Sequence, residues 1–223
     1  MARLTIDLEP LMGLSDSTNF VKVLVKNGIA CDIAGADGIA ISTGDEYDIA
    51  RRKAMLTLSE CLDISMAVKA IVNDQWIDAL QEIKPAIVIF DYAKQPLEQL
   101  AQAITNLQVA NILVGVTITL DLDQIKSAAK MKSDFLVLNC APFCDSKSFG
   151  AQIDALNKVE TATALAQRLS IGVIASGRFD LNNLGRIRGN KVIEEYIVGH
   201  PFHSYALLSG FNKAVESYKY ILR

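Results

Sequence analysis

The dominant pattern along the chain is a short apolar run followed by a segment with helical periodicity, and this unit repeats eight times. The eight runs are Leu4–Leu8, Gly38–Ser42, Asp63–Met66, Ala86–Phe90, Ile112–Ile118, Phe135–Leu138, Ile171–Ala175 and Tyr196–Val198. Most of the runs are continuously apolar and do not alternate with polar residues. This pattern indicates strands that are buried on both faces, as in a parallel sheet.

The intervening segments have apolar residues at helical spacing. The clearest of them are residues 19–34, 45–62 and 122–129. Asp121, three residues before Gln124, predicts a cap and a capping box at the start of the last of these helices. A final continuous helix is predicted from apolar residues that step by four, three, four and three positions. These residues are Leu207, Phe211, Ala214, Tyr218 and Ile221.

Eight strands that alternate with helices fit two folds. One is an open, doubly wound sheet, and the other is a closed (β/α)8 TIM barrel near the short end of its size range. The chain contains no linker, low-complexity stretch or second composition zone. The sequence therefore predicts one α/β domain over residues 1–223, folded as a (β/α)8 barrel.

Composition narrows the class of protein. With 51% hydrophobic and 21% charged residues, the 223-residue chain is neither disordered nor fibrous. The net charge of −3 offers no basic surface for nucleic acid. The most apolar segment, Ile112–Leu120, is far shorter than the ~18 residues of a membrane span, and the four cysteines are too few for a disulfide scaffold. We expect a cytoplasmic protein with neither nucleic acid nor membrane as a partner.

Candidate binding chemistry lies after the seventh and eighth strands. In barrels of this type, the backbone N–H groups of these loops and a nearby helix N-terminus often hold a phosphate. The sequence therefore predicts a phosphate or substrate site composed of Ser176, Gly177, Arg178, Gly199 and His200. The alternative interpretation is that the two glycines are simply turn residues.

Other polar residues carry weaker signals. Asp7, at the end of the first strand, is either a functional group in the barrel mouth or a structural carboxylate. His200 and His203 are the only histidines, and they have no third ligand at metal-binding spacing, so no metal site is predicted. Cys140 and Cys144 are more simply explained as small buried side chains than as nucleophiles.

Five strings stand in the same order and register as those of a known family over nearly the whole chain. They are Ala34-Gly35-Ala36-Asp37-Gly38-Ile39, Ile64-Ser65-Met66-Ala67-Val68, Lys84-Pro85, Asp123-Gln124-Ile125-Lys126-Ser127-Ala128-Ala129 and Ile197-Val198-Gly199-His200. Together they resemble pyridoxine 5'-phosphate synthase. The resemblance implies a (β/α)8 barrel that condenses 1-deoxyxylulose 5-phosphate with 3-amino-2-oxopropyl phosphate in vitamin B6 biosynthesis. It also implies phosphorylated small-molecule substrates, no organic cofactor and a homo-oligomer.

The same resemblance indicates which positions would be catalytic, and most of them are substituted. These positions are Asp7, Ser42, Ser65, Lys94 and Asn139. The family has histidine where this chain has Ser42 and Asn139, and glutamate where it has Ser65. Its Gly-His-Gly motif at strand seven corresponds to Ser176-Gly177-Arg178. Serine, asparagine and glycine do not titrate near neutral pH, so we expect most of the synthase activity to be lost.

Three functional hypotheses follow. The protein is a divergent active synthase, or a non-catalytic or repurposed paralogue that binds a phosphorylated metabolite or a protein partner, or an unrelated phosphosugar barrel such as an aldolase or epimerase. An aldolase would require a buried lysine on a strand. The predicted strands contain none, since Lys22, Lys26 and Lys53 fall on helices and Lys94 in a loop.

Overall fold

The computed structural model describes residues 1–12 and 20–223 and contains eight parallel strands in a closed ring. The strands are β1 (Arg3–Asp7), β2 (Gly38–Ser42), β3 (Ser65–Ala70), β4 (Ile87–Asp91), β5 (Leu113–Ile118), β6 (Phe135–Asn139), β7 (Gly172–Gly177) and β8 (Ile193–Val198). Each strand pairs with the next along the chain, and β1 closes the ring against β8 with Leu4 opposite Tyr196. The prediction of a (β/α)8 barrel is confirmed, and the open sheet is excluded.

Helices connect the strands and pack around the ring. Those described are α1 (Glu9–Met12), α2 (Phe20–Ile33), α3 (Ile49–Cys61), α4 (Asp74–Ile83), α5 (Leu97–Val109), α6 (Leu122–Lys130), α7 (Ala141–Cys144), α8 (Phe149–Arg168), α9 (Leu181–Ile187), α10 (His200–Ser209) and α11 (Phe211–Leu222), with a short 3-10 helix at Tyr92–Lys94. The first residue of the segment predicted to be helical from position 19 lies outside the described residues.

Two local predictions are corrected by the structure. The final helix is not continuous, because Gly210 adopts a left-handed φ of 85° and separates α10 from α11. Leu207 is consequently 86% exposed instead of packed. Asp121 caps α6 as predicted, but the Gln124 side chain accepts a hydrogen bond from the Thr119 backbone N–H at 2.9 Å, so the capping box is not formed.

The barrel interior and the layer between strands and helices form two separate apolar clusters. The interior is filled by small and branched side chains, namely Ala40, Ala67, Ile87, Ile89, Val137, Ile174 and Ile197. On β3, Ala67 faces this interior, whereas Met66 and Val68 belong to the outer cluster beneath the helices. Because successive side chains point to opposite faces, both faces of each strand are buried, and the apolar runs are continuous.

The amino-terminal end of the barrel is closed by a polar network. The Thr5 hydroxyl donates to Glu195 Oε1 at 2.6 Å, and Arg3 donates to the Asp37 backbone carbonyl at 2.9 Å. Ser65 accepts a hydrogen bond from Arg3 and donates one to the same Asp37 carbonyl at 3.1 Å. These contacts satisfy one another's polar groups at this end of the barrel.

A substitution at Gly38 would test how closely this end of the ring is packed. A Cβ atom added there would lie 2.6 Å from Ser65 Oγ, 2.7 Å from Thr5 Oγ1 and 3.0 Å from the Ser65 carbonyl oxygen. We expect Gly38→Ala to lower the free energy of unfolding by about 1–3 kcal/mol, as overpacked substitutions do.

Gly185→Ala is the matched control in urea denaturation. Gly185 lies in α9, where an added Cβ meets nothing within 4 Å. This change should stabilise the protein by about 0.5–1 kcal/mol. Equal effects of the two substitutions would contradict the packing described for Gly38.

Candidate active site

A cavity of about 400 Å³ opens at the carboxyl end of the barrel. Polar side chains from the ends of six strands line it, namely Ser42, Lys69, Asp91, Thr117, Asn139 and Ser176. Ile89, Val137 and Ile197 of the interior cluster also line it. A polar rim above an apolar floor, at the end of the barrel where such folds place their chemistry, is typical of a small-molecule site.

Lys69 is the charged group most firmly positioned in this cavity. It is the fifth residue of β3, and its ammonium group forms an ion pair with Asp7 Oδ2 at the end of β1. Asp7 Oδ1 also accepts a hydrogen bond from the Glu9 backbone N–H at 3.1 Å. The exposed fractions of the Lys69 and Asp7 side chains are 31% and 15%. The pair therefore links two strands across the rim and leaves part of the lysine accessible.

Sequence reasoning missed Lys69, which lies on a strand with its side chain partly exposed. The predicted third strand ended at Met66, whereas β3 continues to Ala70. The apolar run continues through Ala67 and Val68, and the charged residue that follows gives no sign that the strand extends to it. The alternation of side chains was the available signal, since an inward-facing Ala67 requires an inward-facing residue two positions later.

The Asp7 side of the rim rests on further polar contacts. Nε2 of His203 donates a hydrogen bond to the Asp7 backbone carbonyl at 2.7 Å, and burial lowers the pKa of this imidazole. Burial also raises the pKa of the Glu9 carboxyl, with a smaller opposing effect of the nearby Arg51 guanidinium. Arg51 in turn donates to the Ser42 carbonyl oxygen at 2.8 Å. These contacts hold the ends of β1 and β2 in place.

Two further cations face the cavity from loops. Lys94 ends the 3-10 helix after β4, and Arg178 follows β7. The Arg178 Nε atom lies 3.9 Å from Asp145 Oδ1, and the Arg178 side chain is 66% exposed. Arg178 is thus only loosely neutralised and can turn toward an anion. Asp45 and Asp91 contribute carboxylates to the same lining.

Gly177, in the predicted phosphate-binding loop, is also explained by the close packing behind it. A Cβ atom on Gly177 would lie 3.0 Å from Cys144 Sγ and 3.4 Å from Cys140 Cβ. Cys144 and the fully buried Cys140 therefore occupy the space behind Gly177. This close packing requires a glycine at position 177 for a structural reason, and the role of Gly177 in binding a phosphate stays a prediction.

The cavity brings together most of the residues predicted for the site. Ser42, Lys94, Asn139, Ser176, Gly177 and Arg178 all line it. Asp7 reaches it through its ion pair with Lys69. Gly199 and His200 are not among its lining residues, since His200 begins α10 and a Cβ on Gly199 would pack against Asp7 and Pro10 at 3.6 Å.

Ser65 does not belong to this site. It is the first residue of β3 and lies at the opposite, amino-terminal end of the barrel, hydrogen-bonded to Arg3 and Asp37. Four residues along a strand separate it from Lys69, a rise of roughly 13 Å. The prediction of Ser65 as a catalytic position is corrected accordingly. The error arose because the resemblance identified the strand that contains Ser65 but not the end of that strand at which Ser65 lies.

Comparison with known proteins identifies the family. The profile of the family described as "Pyridoxal phosphate biosynthesis protein PdxJ" matches residues 21–223. The chain belongs to the PdxJ family. It is 27% identical to a pyridoxine 5'-phosphate synthase of Geobacter sp. (strain M21), with 100% of this chain and 99% of that protein covered. A pyridoxine 5'-phosphate synthase of Geotalea daltonii is 26% identical over 83% of each chain.

A solved structure supports the fold independently. KGPDC from Streptococcus mutans superposes with a TM-score of 0.74 at 13% identity, covering 100% of this chain and 97% of that one. At this identity the likeness concerns the barrel alone. Among the described residues of this PdxJ family member, no helix is long and apolar enough to cross a membrane, and no three His, Cys, Asp or Glu residues are grouped as metal ligands.

The four cysteines give a direct test of burial at the site. Burial raises the pKa of Cys31 and of Cys140 to about 12 and also raises that of Cys144, whereas Cys61 is exposed. At pH 8 a thiol with a pKa of 12 is thiolate in only about one molecule in ten thousand, and the thiolate is the reactive form.

We therefore expect iodoacetamide at pH 8 to alkylate Cys61 first in the native protein, as read by peptide mass spectrometry. All four cysteines should react in denaturant. Rapid alkylation of Cys140 or Cys144 in the native protein would contradict the packing of these thiols behind Gly177.

Proposed function

We propose that the cavity binds a phosphorylated small molecule of the class on which pyridoxine 5'-phosphate synthases act. The observation that carries this proposal is the position of Lys94 and Arg178 on one cavity at the carboxyl end of the barrel. A cavity of about 400 Å³ suits a phosphorylated metabolite of a few carbons. Family membership supports the same class of ligand.

Within the cavity, the phosphate is best received on the β7 side. Arg178 can pair with an anion through its planar guanidinium, and it is only loosely held by Asp145. Ser176 and the Gly177 backbone lie on the same strand end. The apolar floor of Ile89 and Val137 then accommodates the carbon skeleton.

We further propose that the protein is a synthase-like member of the family with slow or absent ring closure. Closing the pyridine ring of pyridoxine 5'-phosphate from 1-deoxyxylulose 5-phosphate and 3-amino-2-oxopropyl phosphate requires several proton transfers. Each positioned acid or base contributes typically ~10²–10⁴ in rate. Ser42 and Asn139 line the cavity but cannot act in this way near neutral pH. Proximity of the two substrates would still allow a residual rate.

A second candidate is an active, divergent synthase, and one observation favours it. Lys69 and Asp7 supply an ammonium and a carboxylate in contact at the rim, which is a potential proton-transferring pair. Asp91 and Lys94 add further titratable groups to the lining. In this case, titratable side chains of β1, β3 and β4 and of the segment after β4 would carry out the proton transfers.

Arg178→Ala tests the position of the phosphate. A charge-assisted hydrogen bond contributes about 1.5–3 kcal/mol, so the Kd of a phosphorylated ketone should rise about tenfold or more in calorimetry. Arg186→Ala is the control, because Arg186 is exposed on α9 and hydrogen-bonds to Gln152. The same Kd for Arg178→Ala and the wild-type protein would place the phosphate elsewhere.

The choice between the two candidates depends on turnover. Given both substrates, the purified protein should form pyridoxine 5'-phosphate at least about a hundredfold more slowly than an intact family member, since at least one acid or base is lacking. It should also fail to complement a pyridoxine-requiring strain that lacks the synthase. Complementation together with turnover comparable to that of the intact enzyme would establish the divergent synthase instead.

A further inference from the structure

We propose that Lys69 is an amine nucleophile that forms an imine with the carbonyl group of a phosphorylated ketone or aldehyde bound in the cavity. The inference rests on the proposed function, because it requires that such a ligand be held there. It goes further in assigning a covalent step to a residue of β3.

The first argument is the placement of Lys69 in the barrel. Its side chain faces the cavity from a strand, whereas Lys94 and Arg178 reach the cavity from the segments that follow β4 and β7. In a ring of eight strands in sequential order, β3 and β7 lie on opposite sides. A ligand whose phosphate is held by Arg178 therefore directs its carbon chain across the apolar floor toward Lys69.

The second argument is the charge around the Lys69 nitrogen. Asp7 is in direct contact with the ammonium group, and its side chain is only 15% exposed. A phosphate brought to Lys69 would meet this carboxylate, so the pair is a poor anchor for an anion. A neutral carbonyl group meets no such repulsion, and the carboxylate next to it can accept and return protons.

The chemistry balances without any oxidant or metal. Asp7 accepts a proton from the Lys69 ammonium, and the free Nζ lone pair attacks the carbonyl carbon, so that a C–N bond forms as the C–O π bond breaks. The carbonyl oxygen takes the proton from Asp7, and Asp7 then takes one proton from the nitrogen, which leaves a neutral carbinolamine. Asp7 returns this proton to the hydroxyl group, which leaves as water while the nitrogen lone pair forms the C=N bond. The products are one protonated imine paired with the Asp7 carboxylate and one molecule of water, and imine formation of this kind is the activation used by lysine nucleophiles.

The experiment is reductive trapping with dihydroxyacetone phosphate as the probe. Sodium cyanoborohydride supplies hydride to an imine and fixes it as a stable secondary amine. In the wild-type protein we expect one adduct per chain, located on Lys69 by peptide mass spectrometry. Dihydroxyacetone without phosphate should react at least about tenfold more slowly, since it lacks the contact with Arg178.

Three variants separate the covalent step from binding. Lys69→Met and Lys69→Arg should give no adduct at position 69 and should still bind the probe in calorimetry. The arginine variant keeps the positive charge beside Asp7, so it also serves if the methionine variant does not fold. Lys126→Met is the control and should label as the wild type does, because Lys126 is exposed on α6 and pairs with Asp123.

The outcomes distinguish this inference from the proposed function. Absence of an adduct on Lys69, or labelling spread over surface lysines, overturns the inference. If the probe nevertheless binds to the wild-type protein and binds more weakly to Arg178→Ala, the proposed function stands alone. If the probe neither binds nor forms the adduct, both fail.

Discussion

Closure of the sheet by pairing of β1 with β8 is the constraint on which the rest of the structure depends. Once the eight parallel strands form a ring, every strand has one face toward the interior and one toward the helices. The interior admits only small or branched side chains, here alanine, valine and isoleucine with the ring of Phe135 against them. All the carboxyl ends also meet at one rim, which is where a single residue per strand can define a common site.

The two ends of this ring are chemically different, although both are polar. At the amino end, Arg3, Thr5 and Glu195 satisfy one another, and Ser65 completes the network. At the carboxyl end, Lys69 and Asp7 form a pair across two strands, while Arg178 remains largely exposed. Mutual satisfaction at one end provides stability, and loosely paired charge at the other leaves capacity for a ligand.

Family membership and chemistry are carried by different parts of the chain. The match to the PdxJ family extends over residues 21–223. The rim residues decide which protons can be moved, and the side chains of Ser42 and Asn139 do not titrate near neutral pH. Lys69 and Asp7 place a cation and a carboxylate in contact at the same rim. The family match thus describes the scaffold, whereas the chemistry depends on the particular side chains at the rim.

The periodicity of the sequence alone determined the eight strands, the barrel and much of the cavity lining. Residues such as Asn139, Ser176 and Arg178 were predictable as neighbours, because they end or follow parallel strands, and those ends necessarily meet. Only the tertiary structure decided that Ser65 belongs to the closed end, that Lys69 faces Asp7, and that Gly210 divides the last helix. The physical reason is that strand length, register and helix breaks depend on contacts between distant residues. An apolar run that stops at a charged residue does not reveal whether the strand continues, and partners such as Asp7 and Lys69 lie 62 positions apart along the chain.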